Sequence, residues 1–142
     1  MSIRRKTEAA MVAVIKDYYS GEVYAGTRGE VLNHPCVVVF CSGGEEIPIG
    51  SGNQMIEMVV SVQDQIDEAA ATNSTDRFND AVDNVSDALQ IDDLATQLTS
   101  KVLNFGVNGI QSITGPEQEF DDQEAMITEN FVVTLYAANK DI

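Results

Sequence analysis

The feature that most limits the folds open to this chain is a short run in its first third. His34-Pro35 leads into Cys36-Val37-Val38-Val39-Phe40-Cys41, an unbroken apolar stretch rich in β-branched residues. Proline biases the residue before it towards extended backbone, so the run opens as a strand. A continuously apolar strand, unlike an alternating one, expects cover on both faces. The chain must therefore build a sheet and pack other layers against it.

The segments around that strand supply the layers. Residues 4–20 read as a helix with Met11, Val14, Ile15 and Tyr18 on one apolar face, stopped by Gly21. Residues 21–34 form a glycine-bearing connector, with a short hairpin between Glu22–Tyr24 and Glu30–Leu32. Residues 42–53 (SGGEEIPIGSGN) expect a loop or a long hairpin tip. From Gln54 to Gln63 the alternation of Ile56, Met58, Val60 and Val62 predicts an antiparallel strand with one buried face.

Two helices come next. Ser74 or Thr75 is placed to cap a helix starting near Asp76, with Phe78, Ala81, Val82, Val85 and Leu89 inward. Asp92 is placed to cap a shorter helix over 93–103, with Leu94, Leu98 and Val102 inward. Residues 104–115 suggest an irregular strand, and 115–123 a turn or mobile acidic loop. The last strand, Ala125 to Ala137, turns Ile127, Phe131, Val133 and Leu135 to the core, with a bulge near Glu129 and Asn130. The expected fold is one α+β domain over residues 1–142. It has a single layer of about four mostly antiparallel strands, with helices packed on one face. A chain of this length buries enough surface to fold without metal or disulfide.

Charge narrows the partners. The chain has 23 acidic residues against 8 Lys plus Arg, a formal charge of −15. Tight nucleic-acid binding draws on Lys and Arg to neutralise phosphates, and this composition disfavours it. Anionic membrane surfaces are disfavoured for the same reason, and no apolar run approaches a membrane span. The apolar stretch after Arg4–Lys6 is broken by Lys16 and Asp17, so no secretory signal is expected and the site of use is a cytoplasm. Arg4, Arg5 and Lys6 stand out as a basic cluster. They read as a solvated helix start or as an arm that docks on an acidic neighbour, including another copy of the chain.

Chemistry-bearing patterns are sparse. His34 is the sole histidine, so a zinc site would have to recruit Cys36 and carboxylates, and neither CxxC nor HxxxH spacing occurs. In a strand, Cys36 and Cys41 face opposite sides about 16 Å apart, too far for a mutual disulfide. No GxSxG elbow surrounds a serine, and Gly50-Ser51-Gly52-Asn53 is not followed by the Lys-Ser/Thr of a phosphate loop. Asp76, Asp80, Asp83 and Asp87 line a helix face, which does not wrap a cation as a calcium loop does. The acidic 120–124 stretch lacks the spaced order of such a loop. Tyr18, Tyr19, Tyr24 and Tyr136 are candidate interface anchors or core residues. The reading is a structural subunit with no catalytic residues, no cofactor and no bound metal.

The layout resembles the tail terminator proteins of long-tailed bacteriophages. The resemblance lies in the N-terminal helix (TEAAMVAVIKDYY), the proline-led apolar strand (HPCVVVFCSGGEE), and a strand ending in acidic sequence (NQMIEMVVSVQDQIDE). It continues through amphipathic middle helices to an aromatic-bearing last strand (ITENFVVTLYA), spanning nearly the whole chain. It implies a homo-oligomeric ring, typically a hexamer, at the head-proximal end of the tail tube. Such a ring ends tube polymerisation and joins the tail to head-completion or neck proteins, with DNA passing through its lumen. The partners implied are other copies, the major tail tube protein and a head-completion protein, within a virion assembled in the host cytoplasm. The candidate assembly contacts are Arg4, Arg5 and Lys6 in the N-terminal arm, and Glu45, Glu46, Ile47, Ile49 and Asn53 in the 42–53 loop. Alternatives are a head–tail connector or minor tail protein, and an unrelated small acidic soluble adaptor.

Overall fold

The structure is a computed structural model, described over residues 2–26, 35–46, 53–65, 71–121 and 125–140. It is an α+β fold with a five-stranded sheet and three helices packed on it. In chain order the elements are α1 (Ile3–Lys16), β1 (Glu22–Ala25), β2 (Cys36–Glu46), β3 (Asn53–Gln65) and α2 (Ala71–Leu89). These are followed by α3 (Leu94–Lys101), β4 (Phe105–Asp121) and β5 (Met126–Asn139). The sheet order is β1-β2-β3-β5-β4, parallel at β1–β2 and antiparallel elsewhere.

The core lies between the helices and one face of the sheet. Ile56, Met58, Val60 and Val62 of β3 are fully buried, as the alternation predicted. Their cross-strand neighbours Val37, Val39, Val133 and Leu135 are equally buried. From α2, Phe78, Ala81, Val82, Val85, Ala88 and Leu89 pack down on them, while Asp76, Asp80, Asp83 and Asp87 face solvent. The apolar run of β2 is covered on both faces over Cys36–Val39 and opens to partial exposure at Phe40 and Cys41. Both cysteines are free thiols.

Several expectations are corrected. The strand at Glu22–Ala25 pairs in parallel with β2, a pairing the expected local hairpin did not include. Its expected partner at 30–32 lies outside the described residues. The arms of the β2–β3 hairpin reach into the expected 42–53 loop, taking Ser42 to Glu46 and Asn53 into strands. A shift in register between Cys41 and Gly43 absorbs Ser42 there.

Helix α2 begins at Ala71, so Ser74 and Thr75 lie within it and do not precede it. The residue at the head of α3 is Asp93 rather than Asp92. Past the end of α1, Tyr18 is 43% exposed and Tyr19 is buried instead. The helix ends at Lys16, which breaks the 3.6-residue phase and lets the Tyr19 hydroxyl donate to the Pro35 carbonyl at 3.4 Å.

The last hairpin carries the largest correction. Residues 115–121 are not a loop but the outer limb of β4. The expected bulge at Glu129 and Asn130 is absent, since β5 pairs with β3 in unbroken register from Met126 to Ala138. Glu129 keeps the inward phase of Ile127 and Phe131 and places a carboxyl beside α2. The irregularities fall in β4, between Val107 and Gly109, Ile110 and Ser112, and Thr114 and Glu117. An edge strand tolerates them because one of its sides has no strand to keep in register. Pro116 is accommodated on the same ground, since its missing N–H need not serve a ladder.

Candidate assembly surface

The proposed contact residues gather partly at one end of the sheet. Ser2 caps α1, its hydroxyl accepting from the Arg5 N–H at 3.2 Å. The first turn of the helix then presents Arg4 and Arg5 to solvent. Lys6 does not extend outward with them. Its ammonium donates to Asn139 Oδ1 at 2.8 Å and to the Asn104 carbonyl at 3.3 Å, tying α1 to the ends of β4 and β5.

Asn53 opens β3 opposite Ala138, and its Oδ1 accepts from Asn108 Nδ2 at 3.0 Å. Glu45 and Glu46 close β2 opposite Met55 and Gln54. The backbones of Glu46, Asn53 and the Asn139 that Lys6 binds thus lie at the same end of the sheet. Ile47 and Ile49 lie outside the described residues, as does His34.

The start of α1 is also locked to β2. The Cys41 thiol donates to the Arg4 carbonyl at 3.5 Å, and the Cys41 N–H donates to Glu8 Oε2 at 2.9 Å. Strand β1 ends at Ala25 opposite Val39. Two residues further along β2, the Cys41 N–H faces a side where β1 has stopped, and the Glu8 carboxylate takes the missing place. Burial pushes the Cys41 thiol up to about 12, with the Glu8 charge adding to the effect. Burial, helped by Asp64 and Glu22, raises Cys36 to about 11.

Sequence reasoning found the first half of β4 as an irregular strand over 104–115 but missed its outer limb. After the buried Phe105, Gly106 and Val107, the strand surfaces, and every residue from Gln111 to Asp121 is exposed. It includes Ile113 at 38% and Phe120 at 54% exposure, large apolar side chains left uncovered in the subunit. The period-2 order of Glu117, Glu119 and Asp121 around Gln118 and Phe120 was the available signal. Gly115-Pro116 masked it as a turn.

At the far end of this limb lies a hollow of about 290 Å³ lined by Gln63, Glu119, Phe120, Asp121, Met126 and Thr128. A second hollow, of about 280 Å³, lies near Tyr19, Arg77 and Asp80. Beside it, Asp64 is fully buried and its carboxylate is held by Arg77.

Among the described residues, no three His, Cys, Asp or Glu side chains gather to hold a metal ion. None of the described helices is long and apolar enough to cross a membrane. Compared with protein-family models and with curated proteins, the chain matches none.

Proposed function

We propose that this chain is a self-associating structural subunit of a long-tailed bacteriophage. In this reading it forms a tail terminator ring at the head-proximal end of the tail tube, ends tube polymerisation and receives the head-completion proteins. The carrying observation is β4, a 17-residue edge strand exposed along most of its length, with Ile113 and Phe120 in the open. A long exposed edge bearing large apolar side chains is a surface that assembly covers. The order of helix, proline-led strand, paired helices and final aromatic strand supports the same reading. The net charge of −15 suits a lumen that DNA traverses without being gripped.

Electron microscopy of the purified protein, alone and with isolated tail tubes, tests the proposal. Rings in solution, or rings capping one end of the tubes, are the expected result. A protein that stays monomeric at high concentration and leaves tube ends bare overturns it. So does a virion map that places the chain elsewhere than the tube's head-proximal end.

A further inference from the structure

We infer that the hollow at the outer limb of β4 receives Arg4 and Arg5 from a neighbouring copy of this chain. The inference rests on the self-associating reading above and names the two surfaces that meet.

The hollow is lined by Gln63, Glu119, Phe120, Asp121, Met126 and Thr128, of which Gln63, Thr128 and Glu119 stand side by side on one face of the sheet. Glu117, two residues before, is exposed on the same limb. Glu117 and Glu119, two apart in the strand, turn their carboxylates to that same face, and such a pair is a seat for guanidinium groups. Arginine suits the seat better than lysine, because its planar fork binds a carboxylate through two hydrogen bonds at once.

The complementary surface is the first turn of α1. Arg4 and Arg5 are adjacent and exposed, while three other basic side chains are engaged within the subunit. Lys6 binds Asn104 and Asn139, Arg77 binds Asp64, and Lys101 binds Asp17. The two surfaces do not meet within one subunit. Arg4 sits against Cys41 on β2, and Cys41 pairs with Met58, whereas the hollow begins at Gln63 and ends on β4. Five steps along β3 and three strand spacings across the sheet separate them by about 20 Å, beyond the reach of a side chain.

Two opposite charges on distant parts of one subunit satisfy each other between copies. Paired head to tail, such a contact closes into a ring when the rotation between copies allows it. It also relieves the self-repulsion of an acidic chain at the point of contact.

The test is a charge swap read by sedimentation velocity at low and high salt. Wild type is expected to self-associate, more weakly as salt rises. R4E/R5E and E117K/E119K are each expected to weaken association roughly ten-fold or more. Mixing the two variants restores it, because each then offers the surface that the other lacks. Circular dichroism checks that both variants fold, which the exposure of all four positions favours. A wild-type oligomer that neither variant weakens overturns this inference and leaves the ring intact. Variants that are weakened but not restored on mixing overturn it as well. Wild type that is monomeric and does not cap tubes overturns the ring reading itself.

Discussion

Asp64 of β3 and Arg77 of α2 form a two-pronged ion pair, Nε to Oδ2 at 2.8 Å and Nη2 to Oδ1 at 2.7 Å. Asp64 continues the inward phase of Ile56, Met58, Val60 and Val62, so an apolar face ends in a carboxylate whose side chain is 1% exposed. Its second support is the Gln65 N–H, which donates to Oδ1 at 2.8 Å. Arg77→Ala leaves that buried charge with a single backbone donor and is expected to cost about 2–3 kcal/mol in urea unfolding. Lys101→Ala breaks the more exposed pair with Asp17 and is expected to cost at most about 0.5 kcal/mol. Equal losses would show that the Asp64 pair does not anchor α2.

Glu8 replaces a strand where β1 runs out. Glu8→Ala removes the acceptor of the Cys41 N–H and is expected to destabilise by about 1–2 kcal/mol. Glu8→Gln keeps an oxygen acceptor and is expected to recover most of the loss. Hydrogen exchange localises the effect, with faster exchange of the Cys41 amide in the alanine variant.

The two thiols are expected to be inert in the folded state. With Cys36 raised to about 11 and Cys41 to about 12, both chiefly by burial, few thiolates exist at pH 8. Modification by a disulfide reagent at that pH is expected to be slow, and to reach two thiols per chain quickly once denaturant is added. Rapid labelling of the native protein at pH 8 contradicts the burial of these strands.

Glu129 carries a pH signature. Burial raises its carboxyl above the ordinary 4.5, and the nearby Asp83 adds to the shift. The folded state therefore binds this proton more tightly than the unfolded state does. The contribution favours folding at low pH and is lost as pH rises through the raised value. Glu129→Gln is expected to stabilise the protein at pH 7 by about 0.5 kcal/mol and to have little effect near pH 4. Thermal unfolding at the two pH values reads the difference, and a variant less stable at pH 7 refutes it.

Gly115 turns β4 with φ at +108°, and a Cβ there would meet the Asn130 carbonyl at 2.6 Å. Gly115→Ala is strained by both conformation and contact, and is expected to cost about 2 kcal/mol. Gly26→Ala, at φ +77° with open space around it, is expected to cost about 1 kcal/mol, from conformation alone.

What the sequence determined by itself is local. The alternation of β3, the unbroken apolar run of β2 and the 3.6-residue face of α2 each record the surroundings of a single segment. Burial selects side chains at those periods. The acidic stripe of α2 was legible for the same reason.

What the tertiary structure decided is which segments become neighbours. Nothing within Glu22–Ala25 specifies a parallel partner eleven or more residues away, and the alternation within Glu117–Asp121, coming after Gly115-Pro116, does not by itself separate an edge strand from an acidic loop. Pairing energy comes from the strand alongside, here β2 and β5. The candidate contacts divide along the same line. Arg4 and Arg5 were visible as a run of charge. The hollow that complements them exists because β3, β5 and β4 bring Gln63, Thr128 and Glu119 side by side.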